Sequence, residues 1–465
     1  MDDFQPGGAV RTTAYVAAVS RARAAWADLL PDEPVRLAKG TSNLFRRRED
    51  VTGPRLRLDG LTGVFDLDEE AGTALVGGLT TYEQLVEELL PRGWMPLVVP
   101  QLRTITIGGA VVGLGIESTS FRNGLPHESV LEADVLTGTG EVLTARAGGA
   151  HRDLLRALAN SYGTLGYCLG LVIELEPTSR YVVLKHVRVS DLTALVEVIS
   201  TVMAQREHEG EQVDFVDGVV FSGTEAYLTL GRWAETTEGI GIPSDYGGQQ
   251  IYYRSIQHRR TDVLTAKDYL WRWDTDWFWC SRAFGAQQPR IRRLWPRRLR
   301  RSDVYWKMMA FEQRHGVVER LQRWRGRPEE ERVVQDVEIP LERTAEFLTW
   351  FLTSLPIQPL WICPVRLRGE QIWPLYPMEP GQDYVNVGFW SAVPIEPGAE
   401  RGAVNAAIEA KVRELGGHKG LYSTATYDEE TFRQLYGGDE YARVKARYDP
   451  DGRFPTLYDK VVRAR

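Results

Sequence analysis

Cysteine is scarce: Cys168, Cys280 and Cys363 are three in 465 residues, scattered and odd in number. Their spacing gives neither a disulfide framework nor a metal-ligand set, so no metal site is expected and a reducing cytosol is the expected compartment. No run of about eighteen apolar residues occurs, which excludes a membrane-spanning helix. The first residues carry early acids and no continuous apolar stretch, so no secretory leader is expected there. An excess of positive charge is also missing. The net charge is −7, and nothing electrostatic draws nucleic acid to such a chain. Two nucleotide signatures are absent as well. There is no Gly-x-x-x-x-Gly-Lys-Ser/Thr order and no Gly-x-Gly-x-x-Gly at a strand–helix junction, which argues against a triphosphate pocket and a Rossmann nicotinamide site.

What remains is an ordinary globular composition, 43% hydrophobic and 26% charged, long enough for two or three cores. Residues 12–30 carry apolar positions at helical spacing and stop at Pro31. Short β-like runs follow at 35–38, 55–58, 63–67 and 74–77. Thr81 and Gln84 have capping-box spacing and open a helix over 82–90. Residues 131–136 and 141–144, joined by Thr137-Gly-Thr-Gly140, predict a hairpin, and 169–175 a strand ending at Pro177. Beyond Pro177 the texture changes. Strands are predicted near 181–189, 333–339, 360–367 and 384–389, and helices over 192–205, 341–351, 404–415 and 429–447. The fold class is α+β, divided as an N-terminal helix (1–30), a first domain (31–177) and a second α+β domain (178–465).

The most informative stretch runs from Thr104 to Gly124, TITIGGAVVGLGIESTSFRNG. It holds too many glycines for a packed helix and too few polar residues for a linker. Glycine permits positive φ and close approach to the main chain. Apolar residues between the glycines keep such a backbone buried, which suits a large flat cofactor with a phosphate tail. Lys39-Gly40-Thr41-Ser42-Asn43 follows a predicted strand and could converge backbone N–H groups on a pyrophosphate. Gly163-Thr164-Leu165-Gly166 precedes another strand.

These segments resemble the FAD-binding domain of the vanillyl-alcohol oxidase superfamily, and within it the Diminuto-type side-chain sterol reductases. The likeness rests on Gly115-Ile-Glu-Ser-Thr-Ser120 followed by Gly124-Leu125, and on Gly163-Thr164-Leu165-Gly166. It extends to Val333-Val-Gln-Asp336, Trp361-Ile-Cys-Pro364 and Phe454-Pro-x-x-Tyr458-Asp459-Lys460. The resemblance implies a two-subdomain FAD-binding domain with a C-terminal α+β cap carrying the substrate. It implies FAD contacts from Lys39, Gly40, Thr41, Ser42 and Asn43, and from Thr104, Thr106, Ile107, Gly108, Gly109, Gly113, Gly115, Ile116, Glu117 and Ser118. Gly163, Thr164 and Gly166 would complete the pocket. Many relatives attach FAD covalently through a His in the first loop. Here Gly-Thr-Ser-Asn stands there, so non-covalent FAD is expected.

Reducing an unactivated alkene requires an acid to protonate one carbon while hydride reaches the other. The candidate acids are Glu117, His127, Asp274, Asp276, Lys307 and Asp336. Glu117 adjoins the flavin loop by resemblance and ranks first, with Asp274 also carried forward; Asp336 reads as a strand-end or capping residue. Trp271, Trp273, Trp277, Phe278 and Trp279 are followed by an arginine-rich run over 290–301. Either the rings fill a core and the arginines are solvated, or the stretch rests peripherally on an anionic inner membrane face. The expected function is FAD-dependent, NADPH-linked reduction of a C=C bond in a long apolar lipid. A methylene-branched fatty acyl chain, supplied by a lipid methyltransferase, is preferred to a sterol side chain. The alternatives are a flavin oxidase or dehydrogenase of an alcohol or lipid-linked sugar, and a non-catalytic lipid-binding protein.

Overall fold

Two antiparallel sheets face each other in the computed structural model, which describes residues 10–30, 33–40, 45, 55–316, 320, 324, 328–396 and 398–463. The first sheet runs in the order Val64–Asp68, Thr73–Gly77, Tyr167–Pro177, Val130–Leu136, Val142–Arg146, and Trp94–Pro96 pairs with the far end of Tyr167–Pro177. The expected hairpin is present, with Glu132 opposite Arg146 and Leu136 opposite Val142. Alternation divides Thr73–Gly77 between two hydrophobic clusters: Leu75 faces one, Ala74 and Val76 the other.

The helix Thr13–Ala27 covers one side. Thr12 caps it, and its buried residues Tyr15, Ala18, Ala22 and Trp26 form one helical stripe. Tyr15 donates a 2.7 Å hydrogen bond to Asp134, which fixes the helix on the sheet. On the other side lies the helix Tyr82–Leu89, with both hydrogen bonds of the Thr81–Gln84 capping box formed. The glycine-rich stretch departs from expectation, because Ile107–Val111 is helical and capped by Thr106. Gly108, Gly109, Gly113 and Gly115 serve closeness rather than positive φ, which in this stretch falls on Gly124 at 69°. A Cβ on Gly108 would stand 2.6 Å from the Gly78 carbonyl oxygen.

The chain leaves the first sheet at Pro177 and enters the second at Tyr181. The second sheet has eight strands, in the order Thr261–Thr265, Tyr181–Val189, Glu225–Ala234, Phe215–Ser222, Leu360–Arg366, Asp383–Pro394, Glu330–Pro340, His418–Lys419. Helices Leu192–Gln205, Thr344–Ser354 and Ala403–Glu414 contribute to the apolar cluster on one of its faces. The helix expected over 429–447 is broken at Gly437 (φ 61°) into Glu429–Leu435 and Gly438–Tyr448. The end of the chain returns to the first domain. Lys445 donates to the Thr164 carbonyl, Arg453 to those of Leu30 and Glu33, and Lys460 to that of Tyr162.

The tryptophan cluster is core. Trp271, Trp273, Trp277, Phe278 and Trp279 are all buried, with Phe278 stacked between Trp273 (5.0 Å) and Trp390 (4.2 Å). These rings therefore form no interfacial belt. The arginines that follow divide by environment. Arg292 pairs with Asp276 at 2.7 Å and Arg300 donates to the carbonyls of Gly247 and Gly248, both from buried positions. Arg290, Arg293, Arg297 and Arg298 are exposed.

Candidate active site

A cavity of about 610 Å³ opens between the two sheets. Of the residues expected to touch a cofactor, Lys39, Thr106, Gly108, Gly109, Gly113, Gly115, Ile116, Gly163 and Gly166 line it. Thr41, Ser42 and Asn43 lie outside the described residues. Gly40, Thr104, Ile107, Glu117, Ser118 and Thr164 are not in its wall. Ile107 belongs to the core beneath, and the Thr164 hydroxyl is spent on the Ser161 carbonyl. The opposite wall is formed by Trp277, Phe278, Trp361, Trp390, Tyr422 and the candidate acid Asp336, of which Trp390 and Tyr422 were not singled out in the sequence. The distant motifs carried two of the six, Asp336 and Trp361.

Glu117 is not the acid of this cavity. Buried, it receives a 3.0 Å ion pair from Arg272, which also pairs with Asp217 at 2.8 Å. One guanidinium thus holds two carboxyls, one from the glycine-rich segment and one from the second sheet. Ser118 is fixed beside it by a 2.8 Å bond to the Tyr269 hydroxyl. Asp274 is equally committed: Arg103 donates to it through its backbone and guanidinium, at 3.1 and 3.0 Å, and Ser302 at 2.5 Å. Asp276 is paired with Arg292, and Lys307 reaches Asp303 on an exposed helix face. His127 is packed edge-on to Trp373 at 4.4 Å, and burial pushes it down to about 3, so it stays neutral. A sequence ranks acids by neighbourhood along the chain, whereas partners decide which of them is free.

Asp336 lies inside the strand Glu330–Pro340, not at its end. In the register of the sheet it is opposite Gly388, and Gly388 is opposite Trp361 on the next strand. The glycine is required there. A Cβ at Gly388 would collide with the Asp336 carboxyl and Trp390 and press on Trp361 at 3.2 Å. The carboxyl accepts from Asn386 at 3.1 Å and no cation bonds to it among the described residues. Burial raises it to about 6, against the pull of Asn386 and the neighbouring Tyr422 hydroxyl. It is a carboxyl that holds its proton to higher pH than an ordinary aspartate, in a wall of aromatic rings.

The glycine wall fits a flat cofactor. A Cβ at Gly113 would meet the Gly109 carbonyl oxygen at 2.7 Å, and one at Gly115 the ring of Pro126 at 2.7 Å, so only glycine lets the wall pack this closely at both positions. Gln101, in the same wall, carries a buried Nε2 with no hydrogen-bond partner among the described residues, a donor suited to a ring carbonyl. Residues 11–146 match the FAD binding domain family. The chain is 25% identical to the Delta(24)-sterol reductase of Arabidopsis thaliana over 438 residues, covering 86% of this chain and 75% of that one. It is 23% identical to the human Delta(24)-sterol reductase over 427 residues, covering 87% and 77%. Similarity to cytokinin dehydrogenase 10 of Oryza sativa subsp. japonica, 27% over 184 residues, covers only 38% of this chain and 33% of that one. A matched FAD-binding domain, a glycine-walled cavity and similarity to named reductases over 75% and 77% of their length agree: the chain is an FAD-dependent oxidoreductase of α+β fold.

Proposed function

We propose that the protein reduces an isolated carbon–carbon double bond in a long apolar lipid, with Asp336 as the proton donor and NADPH as the electron source. The observation that carries this reading is the Asp336 carboxyl, raised to about 6 and set among Trp361, Trp390 and Phe278 in the wall facing the glycines. Lys39, Gln101 and the glycines from Gly108 to Gly115 would hold FAD, which when bound supplies two-electron hydride chemistry. In its protonated form Asp336 gives its proton to one alkene carbon, and the aromatic π-electrons nearby favour the positive charge that develops on the other. The reaction consumes one hydride and one proton, and leaves Asp336 as a carboxylate. An isolated, alkyl-substituted alkene suits such a site, since it is activated by protonation.

Delta(24)-sterol reductases are named for a sterol double bond. Both a sterol side chain and a methylene-branched acyl chain place alkyl groups on the carbon that bears charge. Arginine-rich, lysine-poor composition of the bacterial GC-rich kind favours the acyl chain, made by a lipid methyltransferase. Among the described residues no helix is long and apolar enough to cross a membrane. The lipid would enter from a bilayer resting on the exposed Leu294, which neighbours the exposed Arg290, Arg293 and Arg298 in sequence. Salt-sensitive co-sedimentation with anionic vesicles tests that contact.

The decisive experiment is anaerobic. NADPH or NADH is offered first, and the reduced enzyme is then mixed with a methylene-branched phospholipid or a sterol with a side-chain double bond. Rapid flavin reoxidation by the phospholipid, with recovery of the methyl-branched product, is the expected result. Reoxidation by neither lipid, with rapid turnover on oxygen, would sink the reading in favour of an oxidase.

A further inference from the structure

Behind Asp336 the same strand buries a second carboxyl. Glu338 stands two residues further on, so the two side chains leave the same face of Glu330–Pro340, about 6.6 Å apart along the backbone. Glu338 is fully buried. The Tyr376 hydroxyl donates to its Oε1 at 3.3 Å. Its Oε2 has no hydrogen bond among the described residues and lies 3.5 Å from His418 Nε2.

His418 is placed by backbone pairing, since the strand His418–Lys419 runs against Val337 and Glu338. It too is buried, and neither ring nitrogen has a hydrogen-bond partner among the described residues. Tyr376 and Tyr384 pack on its ring at 5.3 and 5.8 Å. The Tyr384 hydroxyl, which accepts from the Glu379 N–H and donates to Gln382, leads to the exposed turn around Gly381. Lys419, the nearest ammonium, is committed to Glu409 at 2.8 Å and to the Thr424 carbonyl. Glu338 therefore faces Asp336, Tyr376, His418 and Tyr384 without a bonded cation. Burial, reinforced by the Asp336 charge, drives its carboxyl well above the carboxylate range, while burial pushes His418 down to about 3. The pair is a carboxylic acid beside a neutral imidazole.

We infer that Glu338 stores the proton that recharges Asp336 after each turnover, with His418 linking it outward. The inference rests on the reading of Asp336 as proton donor. Once Asp336 has protonated the alkene, the Glu338 O–H bond breaks and an Asp336 O–H bond forms, through one bridging hydroxyl or water. The deficit now sits on Glu338, and one solvent proton passed along the His418 ring makes it good. Each turnover takes one proton from solvent, delivered from the Glu338 side of the strand rather than from the substrate side. Glu338 acts through Asp336 and is a positioning residue for the proton rather than a catalytic one.

Two measurements on the FAD-loaded enzyme test this. Infrared difference spectra of the wild type should show a protonated-carboxyl band at neutral pH that shifts in D₂O, vanishes in E338Q and persists in D336N. In D336N its titration midpoint should fall by about one pH unit, because a relay needs the two carboxyls to be coupled. An absent band, or a midpoint unmoved in D336N, overturns the inference without any substrate. With the methylene-branched phospholipid, E338Q should keep its first-turnover rate within about twofold but lose about tenfold in steady state, and added imidazole should restore the loss. A first turnover slowed as much as the steady state overturns it. A wild type that shows the coupled band but reduces neither lipid supports the proton store and defeats the alkene reading alone.

Discussion

At the scale of single residues, Asp336 sets a conflict between stability and activity. Its folded-state value of about 6 exceeds the ordinary 3.8, so between those pH values the native state holds the extra proton. Stability therefore falls as pH rises through that window, and above about 6 the whole cost is present. The carboxyl is reached from the cavity, and water there softens the cost to about 1–2 kcal/mol. D336N should accordingly raise the melting temperature at pH 7 and leave it unchanged near pH 3. In the same protein, alkene-driven flavin reoxidation should drop by about 10²-fold or more. For the wild type that step should slow as pH rises above about 6, because the donor loses its proton. A rate independent of pH from 5 to 8 would remove Asp336 from the role. G388A supplies a second check at the same spot. Its Cβ would push on Asp336 and Trp390, so reoxidation by lipid should fall while reduction by NADPH is kept.

At the scale of elements, the glycine-rich segment is tied to the second sheet by Arg272 between Glu117 and Asp217. Removing the cation leaves two buried carboxyls without compensation, so R272L should destabilise the protein by about 3–5 kcal/mol in urea titrations. E117Q, by contrast, should lose stability but keep the proton-transfer step within a few-fold. That pair of outcomes separates a latch from an acid.

Most elements here were legible because their signals are local: the Thr81–Gln84 box, the Thr137–Gly140 turn and the Tyr15–Trp26 stripe each sit within one segment. The glycines of the cavity wall stood out in the sequence for the same reason. Asp336 was not. In Val333-Val-Gln-Asp-Val-Glu338, the odd residues Val333 and Val337 face the core, so alternation assigns Asp336 and Glu338 to what looks like a solvent face. Only the cover supplied by the first domain, Trp277 and Tyr422 turns that face into an interior, and cover by distant segments leaves no periodicity to read.

At the scale of the whole molecule, the cavity belongs to both sheets and is closed by the end of the chain. Pro455, Asp459, Lys460 and Arg463 are in its wall. Phe454 packs between Trp26 at 5.7 Å and Tyr167 at 5.0 Å, joining the N-terminal helix to the central strand of the first sheet. Lys445 binds this tail through the Phe454 carbonyl and the first domain through that of Thr164, so one ammonium holds both. A chain ended after Gly452 should keep both sheets, whose strands all precede it, but lose the Phe454 plug and the lysine that crosses to Tyr162. The expected result is protein with native-like circular dichroism that releases FAD on gel filtration. F454A should show the same defect more weakly, with about 3–5 kcal/mol of core packing lost. Intact enzyme should also release its flavin, but only on acid precipitation. The described cavity wall contains no histidine, and burial pushes its one thiol, Cys168, up to about 12, far from a reactive thiolate. Flavin that stayed with the acid pellet would contradict this.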